Sequence, residues 1–138
     1  MATVILLILT AVLWGSTPIL EKIGLVKADP LTAVSIRSFS VAIMLIVFLA
    51  ITGRFRDILS ADLKTTAIFA LTGLMAGLLG MVTYFAALKL GATSKIVPIA
   101  AAYPLVTAML SVLILKEGVT LARIIGTLLI VAGIWLVK

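Results

Sequence analysis

Five apolar runs, each about as long as a membrane is thick, take up almost the whole sequence. They lie near residues 3–23, 31–52, 66–90, 95–115 and 119–137. About 20 helical residues rising 1.5 Å each cross roughly 30 Å of hydrocarbon. Barrel strands would instead be about 10 residues long with alternating polarity, and no such segments occur. Water is a poor solvent for this chain, because 64% of its 138 residues are hydrophobic and only 12% are charged, about half the charged share of soluble domains. A body of this size has no interior able to hide so many apolar side chains. The sequence therefore predicts an all-α membrane protein, a multi-pass up-down bundle of five transmembrane helices in the cell membrane. Soluble enzymes, secreted scaffolds and nucleic-acid-binding modules are excluded together.

A net charge of +6 does not reopen the nucleic-acid reading, since the eleven Lys and Arg fall singly between apolar runs, as loop cations of membrane proteins do. With no Cys and no His, disulfides, thiolate chemistry and the usual zinc sites drop out. No cofactor or metal is expected. The first run lacks a basic n-region, and Trp14-Gly15-Ser16-Thr17-Pro18 is a poor cleavage site, so it reads as a retained helix rather than a signal peptide.

Apart from the polar stretch 53–65, the links are very short, which makes consecutive helices antiparallel neighbours. Five crossings place Met1 and Lys138 on opposite faces. One face then carries Arg54, Arg56, Lys64, Lys116 and Arg123, and the other Lys22, Lys27, Lys89, Lys95 and Lys138. The positive-inside rule needs an excess on one face, and the count is even. Insertion in both orientations is the expectation; the alternative is that a few strongly placed charges, such as Arg54 and Arg56, decide orientation alone.

Several side chains are candidates for a site within the membrane. Arg37 is the one cation well inside a run, where an unpaired Arg is costly. It reads either as an anion contact in a cavity, or as a snorkelling or structural residue paired with Glu21. Trp14, Tyr84 and Tyr103 lie within runs rather than in interfacial belts, and a buried indole or phenol needs a polar partner. Ser16 and Thr17 adjoin Pro18, which frees a carbonyl near Trp14 and makes either a polar notch or a simple bend. Gly73, Gly77 and Gly80, with Gly126 and Gly133, have the small-residue spacing of close helix packing. Pro98 and Pro104 should kink the fourth helix, and Glu117 reads as a surface charge at the start of the fifth.

The first run, with Leu13-Trp14-Gly15-Ser16-Thr17, resembles the opening helix of the drug/metabolite transporter superfamily. The order then continues through Tyr84-Phe85-Ala86-Ala87-Leu88, Pro98, Tyr103-Pro104, the Lys116-Glu117-Gly118-Val119-Thr120 link and the Gly126–Gly133 helix. Over the whole of residues 1–138 this resembles a single EamA-like domain. The resemblance implies one half of an inverted-repeat transporter, since such domains usually occur in pairs with the substrate site between them. An odd number of helices gives a repeat the opposite orientation, so a lone unit implies an antiparallel homodimer, or a heterodimer with a similar chain. The smaller four-span branch carries a mid-membrane carboxylate in its first helix where this sequence has Gly15, so drug/proton antiport is not implied.

The combined expectation is a transporter that moves a small organic solute (a metabolite, amino acid or drug-like molecule) by alternating access. Its candidate substrate contacts are Trp14, Ser16, Thr17, Arg37, Tyr84 and Tyr103. The competing reading is a non-transporting membrane subunit or half of a heteromeric pair. No nucleophile–base set supports an enzyme.

Overall fold

A computed structural model of the protein describes residues 1–118 and 120–137. The described residues are helical almost throughout: α1 (Ala2–Gly24), α2 (Pro30–Thr52), α3 (Phe55–Leu59), α4 (Leu63–Thr72), a π-helical segment (Gly73–Gly80), α5 (Met81–Leu90), α6 (Thr93–Ala100), α7 (Tyr103–Leu115) and α8 (Leu121–Val137). Four stretches are long and apolar enough to cross a membrane: Ala2–Gly24, Pro30–Thr52, Leu63–Leu90 and Thr93–Leu115. The last apolar helix, Leu121–Val137, has 17 described residues. Val119, expected at the start of the fifth run, and Lys138, expected opposite Met1, lie outside the described residues.

Two compact units form, Met1–Lys89 and Leu90–Lys138. In the first unit, the end of α1, the start of α2 and the end of α5 meet. The whole buried apolar core described for the chain sits there: Leu25, Val34, Phe85 and Leu88. Elsewhere Leu, Ile, Phe and Met side chains point outward along the helices, as expected where lipid tails rather than a protein core solvate them.

Local chemistry sets the boundaries. Asp29 is the N-cap of α2; its Oδ1 accepts from the backbone N–H of Leu31 at 3.0 Å and of Thr32 at 3.1 Å, ahead of Pro30 in the first turn. These bonds use donors that a helix start leaves unpaired. The Thr32 hydroxyl and backbone bonds hold the Asp29 carboxyl below its usual range. Gly53 closes α2 at φ +68°, the left-handed conformation that favours glycine. The third span begins at Leu63, three residues earlier than the apolar pattern suggests, because Asp62 caps it by accepting from the Thr65 N–H at 3.0 Å.

Three proline and glycine features refine the expected kinks. Pro18 leaves α1 unbroken. Its missing N–H would have bonded the Trp14 carbonyl, and the Thr17 hydroxyl donates to that oxygen instead at 3.0 Å. The fourth span does break, between α6 and α7 at Ala101–Ala102, with Pro98 inside one piece and Pro104 in the first turn of the other. The third span changes to π geometry over Gly73–Gly80. At Gly80 a Cβ would lie 3.1 Å from the carbonyl oxygen of Met75, five residues back, the partner distance of a π turn. At Gly73 and Gly77 an added Cβ would meet nothing within 4 Å, so among the described residues of the first unit no close helix contact requires these two glycines.

Candidate functional site

The site emerges from three helical stripes in the first unit. On α1, Thr17, Pro18, Glu21 and Leu25 recur at three- and four-residue spacing, and Trp14 continues the stripe two turns above Glu21. Pro18 and Leu25 are buried and Glu21 half-buried, which marks this as the inward face. On α2 half-buried Ala33 and buried Val34 face the core while Arg37, one turn further on, is exposed, and on α5 the facing stripe is Met81, Tyr84, Phe85 and Leu88. The stripes converge on the core at the end where α1 passes into α2.

Just above that core lies a polar cluster. The positive charge of Arg37 from α2 acts on half-buried Glu21, and the Glu21 carboxylate acts in turn on the Tyr84 phenol of α5. No contact ion pair joins Glu21 to Arg37, unlike the 2.8 Å pair of Arg54 with Asp57 in the polar stretch. Structural pairing of Arg37 with Glu21 is thus an interaction through space. Tyr84 is half-buried, its ring 5.9 Å from that of buried Phe85. Counting from the helix ends at 1.5 Å per residue, the backbone of Glu21 lies about 5 Å inside its helix, Arg37 about 10 Å and Tyr84 about 9 Å.

Two lysines close the end below the cluster. Lys22 Nζ donates to the Leu88 carbonyl at 2.6 Å and the Lys89 carbonyl at 3.2 Å, capping the C-terminus of α5. Lys89 Nζ returns a 2.7 Å bond to the Ala28 carbonyl in the α1–α2 connection. Sequence reasoning used both lysines only as orientation charges. A cation beside a helix end was the available signal, but its partner helix was not legible.

The nominated residues separate clearly. Arg37 and Tyr84 each interact electrostatically with Glu21, the structural partner expected for Arg37, and Arg37 itself is exposed. Trp14 and Thr17 share the Glu21 stripe, although Trp14 is 67% exposed and the Thr17 hydroxyl is bonded within its own helix. Ser16 sits about 140° around α1 from Glu21 at 100° per residue, with its hydroxyl on the Leu13 carbonyl. Tyr103 belongs to the second unit, at the first turn of α7 and 60% exposed. Two grooves contain none of these residues. One, of about 550 Å³, lies between α2 and α4 beside Arg54 and Asp57. The other, of about 490 Å³, lies between α7 and α8 and ends at Glu117 and Arg123. Among the described residues no group of His, Cys, Asp or Glu has the arrangement of a metal site.

The model of the EamA-like transporter family matches residues 1–138. An uncharacterised protein of Methanocaldococcus jannaschii is 29% identical over 135 residues, covering 98% of this chain and 95% of its own. A Sinorhizobium protein, named as an uncharacterised transporter in the cobO 3′ region, is 28% identical over 126 residues, covering 91% of this chain and 89% of its own. No solved structure matches the chain.

Proposed function

The chain belongs to the EamA-like transporter family, and on that premise we propose that it carries a small organic solute across the cell membrane by alternating access. The observation that supports this reading is a set of membrane-length apolar helices of which the first two each contain a charged residue well inside their bounds, Glu21 and Arg37. Charged groups at such depth are costly unless they face water, a partner or a substrate. Trp14 and Thr17 extend the same face of α1 and supply apolar and hydroxyl contacts.

The functional unit in this reading has five crossings, with Leu121–Val137 as the last, and is an antiparallel homodimer. An odd span number and the even cation count support it, because each orientation supplies one of two exchangeable halves. Purified protein in liposomes should take up solute above the leak of empty vesicles. Adding two or three Lys to the 53–65 stretch should fix the orientation and abolish uptake. Co-expression with a partner biased the other way, by Lys added near Lys89 and Lys95, should restore it. Full activity of either biased variant alone would reject the antiparallel pair. Silence toward every solute class would leave a non-transporting subunit.

A further inference from the structure

In the second unit α8 packs against α6. Beyond the break at Ala101–Ala102, a groove of about 490 Å³ opens between α7 and α8. Leu105, Met109 and Val112 of α7 and Ile124 and Leu128 of α8 form its walls, at the three- and four-residue spacing of one helix face each. Ser111, also on the wall, turns its hydroxyl to the Ala108 carbonyl at 3.0 Å, so the interior stays apolar. Charge lines one end alone, as Glu117 and Arg123. Hydrogen bonds build that end. Lys116 turns the chain at φ 54°, and the Glu117 N–H donates to the Ser111 carbonyl at 3.2 Å, closing α7. The Arg123 N–H donates to the Thr120 hydroxyl at 3.3 Å, and its Nη1 to the Gly118 carbonyl at 3.2 Å. That bond holds the guanidinium at the mouth and, among the described residues, leaves most of its five donors available. Glu117 lines the same mouth, yet among the described residues no contact ion pair joins the two. From the charged end to Leu105 the groove follows α7 for about 16 Å at 1.5 Å per residue. That is the depth of one leaflet of a hydrocarbon layer roughly 30 Å thick.

We propose that this groove seats one membrane phospholipid with an ethanolamine headgroup. Arg123 takes its phosphate, Glu117 takes its ammonium, and one acyl chain lies between α7 and α8. The charges carry the choice of headgroup. A guanidinium matches a phosphate with two parallel N–H donors, and a carboxylate at the same mouth calls for a cation that can donate back. The ethanolamine ammonium has three such N–H groups, whereas a choline, with methyls in their place, has none. A glycerol headgroup brings no cation and leaves Glu117 facing the phosphate unopposed. The depth and the apolar walls carry the choice of a lipid over a small zwitterion, because a headgroup alone would leave the groove below it empty. The charged end lies where α7 ends and α8 begins, the level at which headgroups meet a spanning helix. Nothing in this assignment depends on a transported solute, and the seated lipid acts as a wedge that fixes the α7–α8 link in the headgroup plane.

The test titrates the purified full chain in detergent with phosphatidylethanolamine, phosphatidylcholine or phosphatidylglycerol of identical acyl chains, and counts bound lipid by native mass spectrometry. One phosphatidylethanolamine should be retained about fivefold more tightly than either of the others, the factor that one charge near a headgroup contributes. Glu117→Gln should erase this advantage and keep the remaining phospholipid binding. Arg123→Gln should weaken all three lipids. Val112→Trp, which fills the groove and keeps both charges, should expel the lipid, while Lys64→Gln in the polar stretch should change nothing. Glu117 and Arg123 are exposed, so their variants test the headgroup even where a Trp on the wall disturbs folding. Equal retention of the three lipids by the wild type overturns the headgroup assignment, as does an ethanolamine preference that survives Glu117→Gln. Unchanged retention in folded Val112→Trp overturns the groove as the seat. Glycerophosphoethanolamine bound as tightly as the lipid overturns the acyl-chain seat and assigns the mouth to a soluble zwitterion. A lipid-free dimer that Val112→Trp dissociates assigns the groove to a second copy and overturns the proposal.

Discussion

Replacing Lys22 by Met isolates what holds the first unit together. The substitution keeps an unbranched apolar stem and removes the ammonium that bonds the Leu88 carbonyl at 2.6 Å and the Lys89 carbonyl at 3.2 Å. A hydrogen bond to a charged group contributes about 1.5–3 kcal/mol net. The longer bond is exposed and adds little, so the loss should be about 2 kcal/mol, or about thirtyfold in the folding equilibrium. Lys22 is also one of the orientation-setting cations, so the measurement belongs in detergent, where no membrane side exists. Unfolding by increasing sodium dodecyl sulfate, followed by far-ultraviolet circular dichroism, reads the change directly. Lys89→Met should cost less, because its bond to Ala28 is solvent-exposed. A shift below about 0.5 kcal/mol for Lys22→Met, within the range of ordinary surface changes, would refute the claim that this lysine clamps the end of α5.

Thr17→Val should cost about 1 kcal/mol by orphaning the Trp14 carbonyl; in a Pro18→Ala background the same change should be near neutral, and equal costs in both backgrounds in detergent unfolding would exclude the compensation. Gly77→Ala, with open space around it, should stabilise by up to about 1 kcal/mol through helix propensity. Gly80→Ala should gain nothing, because its methyl meets the Met75 carbonyl, and a matching gain at both sites would contradict the π geometry. The Asp29 and Asp62 carboxyls are held low chiefly by the Thr32 and Thr65 side chains. Their contribution to stability is therefore complete above the ordinary carboxylate range of about 4 and is lost as pH falls through the depressed values. Asp29→Asn with Asp62→Asn should flatten this acid limb of a pH-dependent unfolding curve, and an unchanged limb would refute the assignment.

The apolar runs made the four long helices legible because spanning length is a property of a contiguous segment. The ends were less legible. Asp62 looked like part of a charged loop, yet an Asp three residues before a Thr with an apolar run behind it is also a cap, and the cap won. Pro98 and Pro104 indicated a break whose position, Ala101–Ala102, needed the backbone bonds that each proline removes. The π segment was hidden, since Gly73, Gly77 and Gly80 have the same spacing as a packing face. The site was legible residue by residue and not as a constellation: Arg37 and Tyr84 stood out as polar groups in apolar surroundings. That Glu21 interacts with both, and that Lys22 and Lys89 bond carbonyls of the neighbouring segments, depends on which helices share an end, which no single run encodes.

The off-centre depth of Arg37 also has an electrical consequence. Its backbone lies about 10 Å into a hydrocarbon layer of roughly 30 Å, so an ion arriving there from the near face crosses about a third of the membrane field. That amounts to about 0.8 kcal/mol for every 100 mV, a fourfold change in occupancy per 100 mV. A copy inserted one way is favoured by a given polarity, and an inverted copy is disfavoured by the same amount. In the antiparallel pair proposed above, the two Arg37 groups lie at mirrored depths, so the pair would respond alike to either sign of voltage.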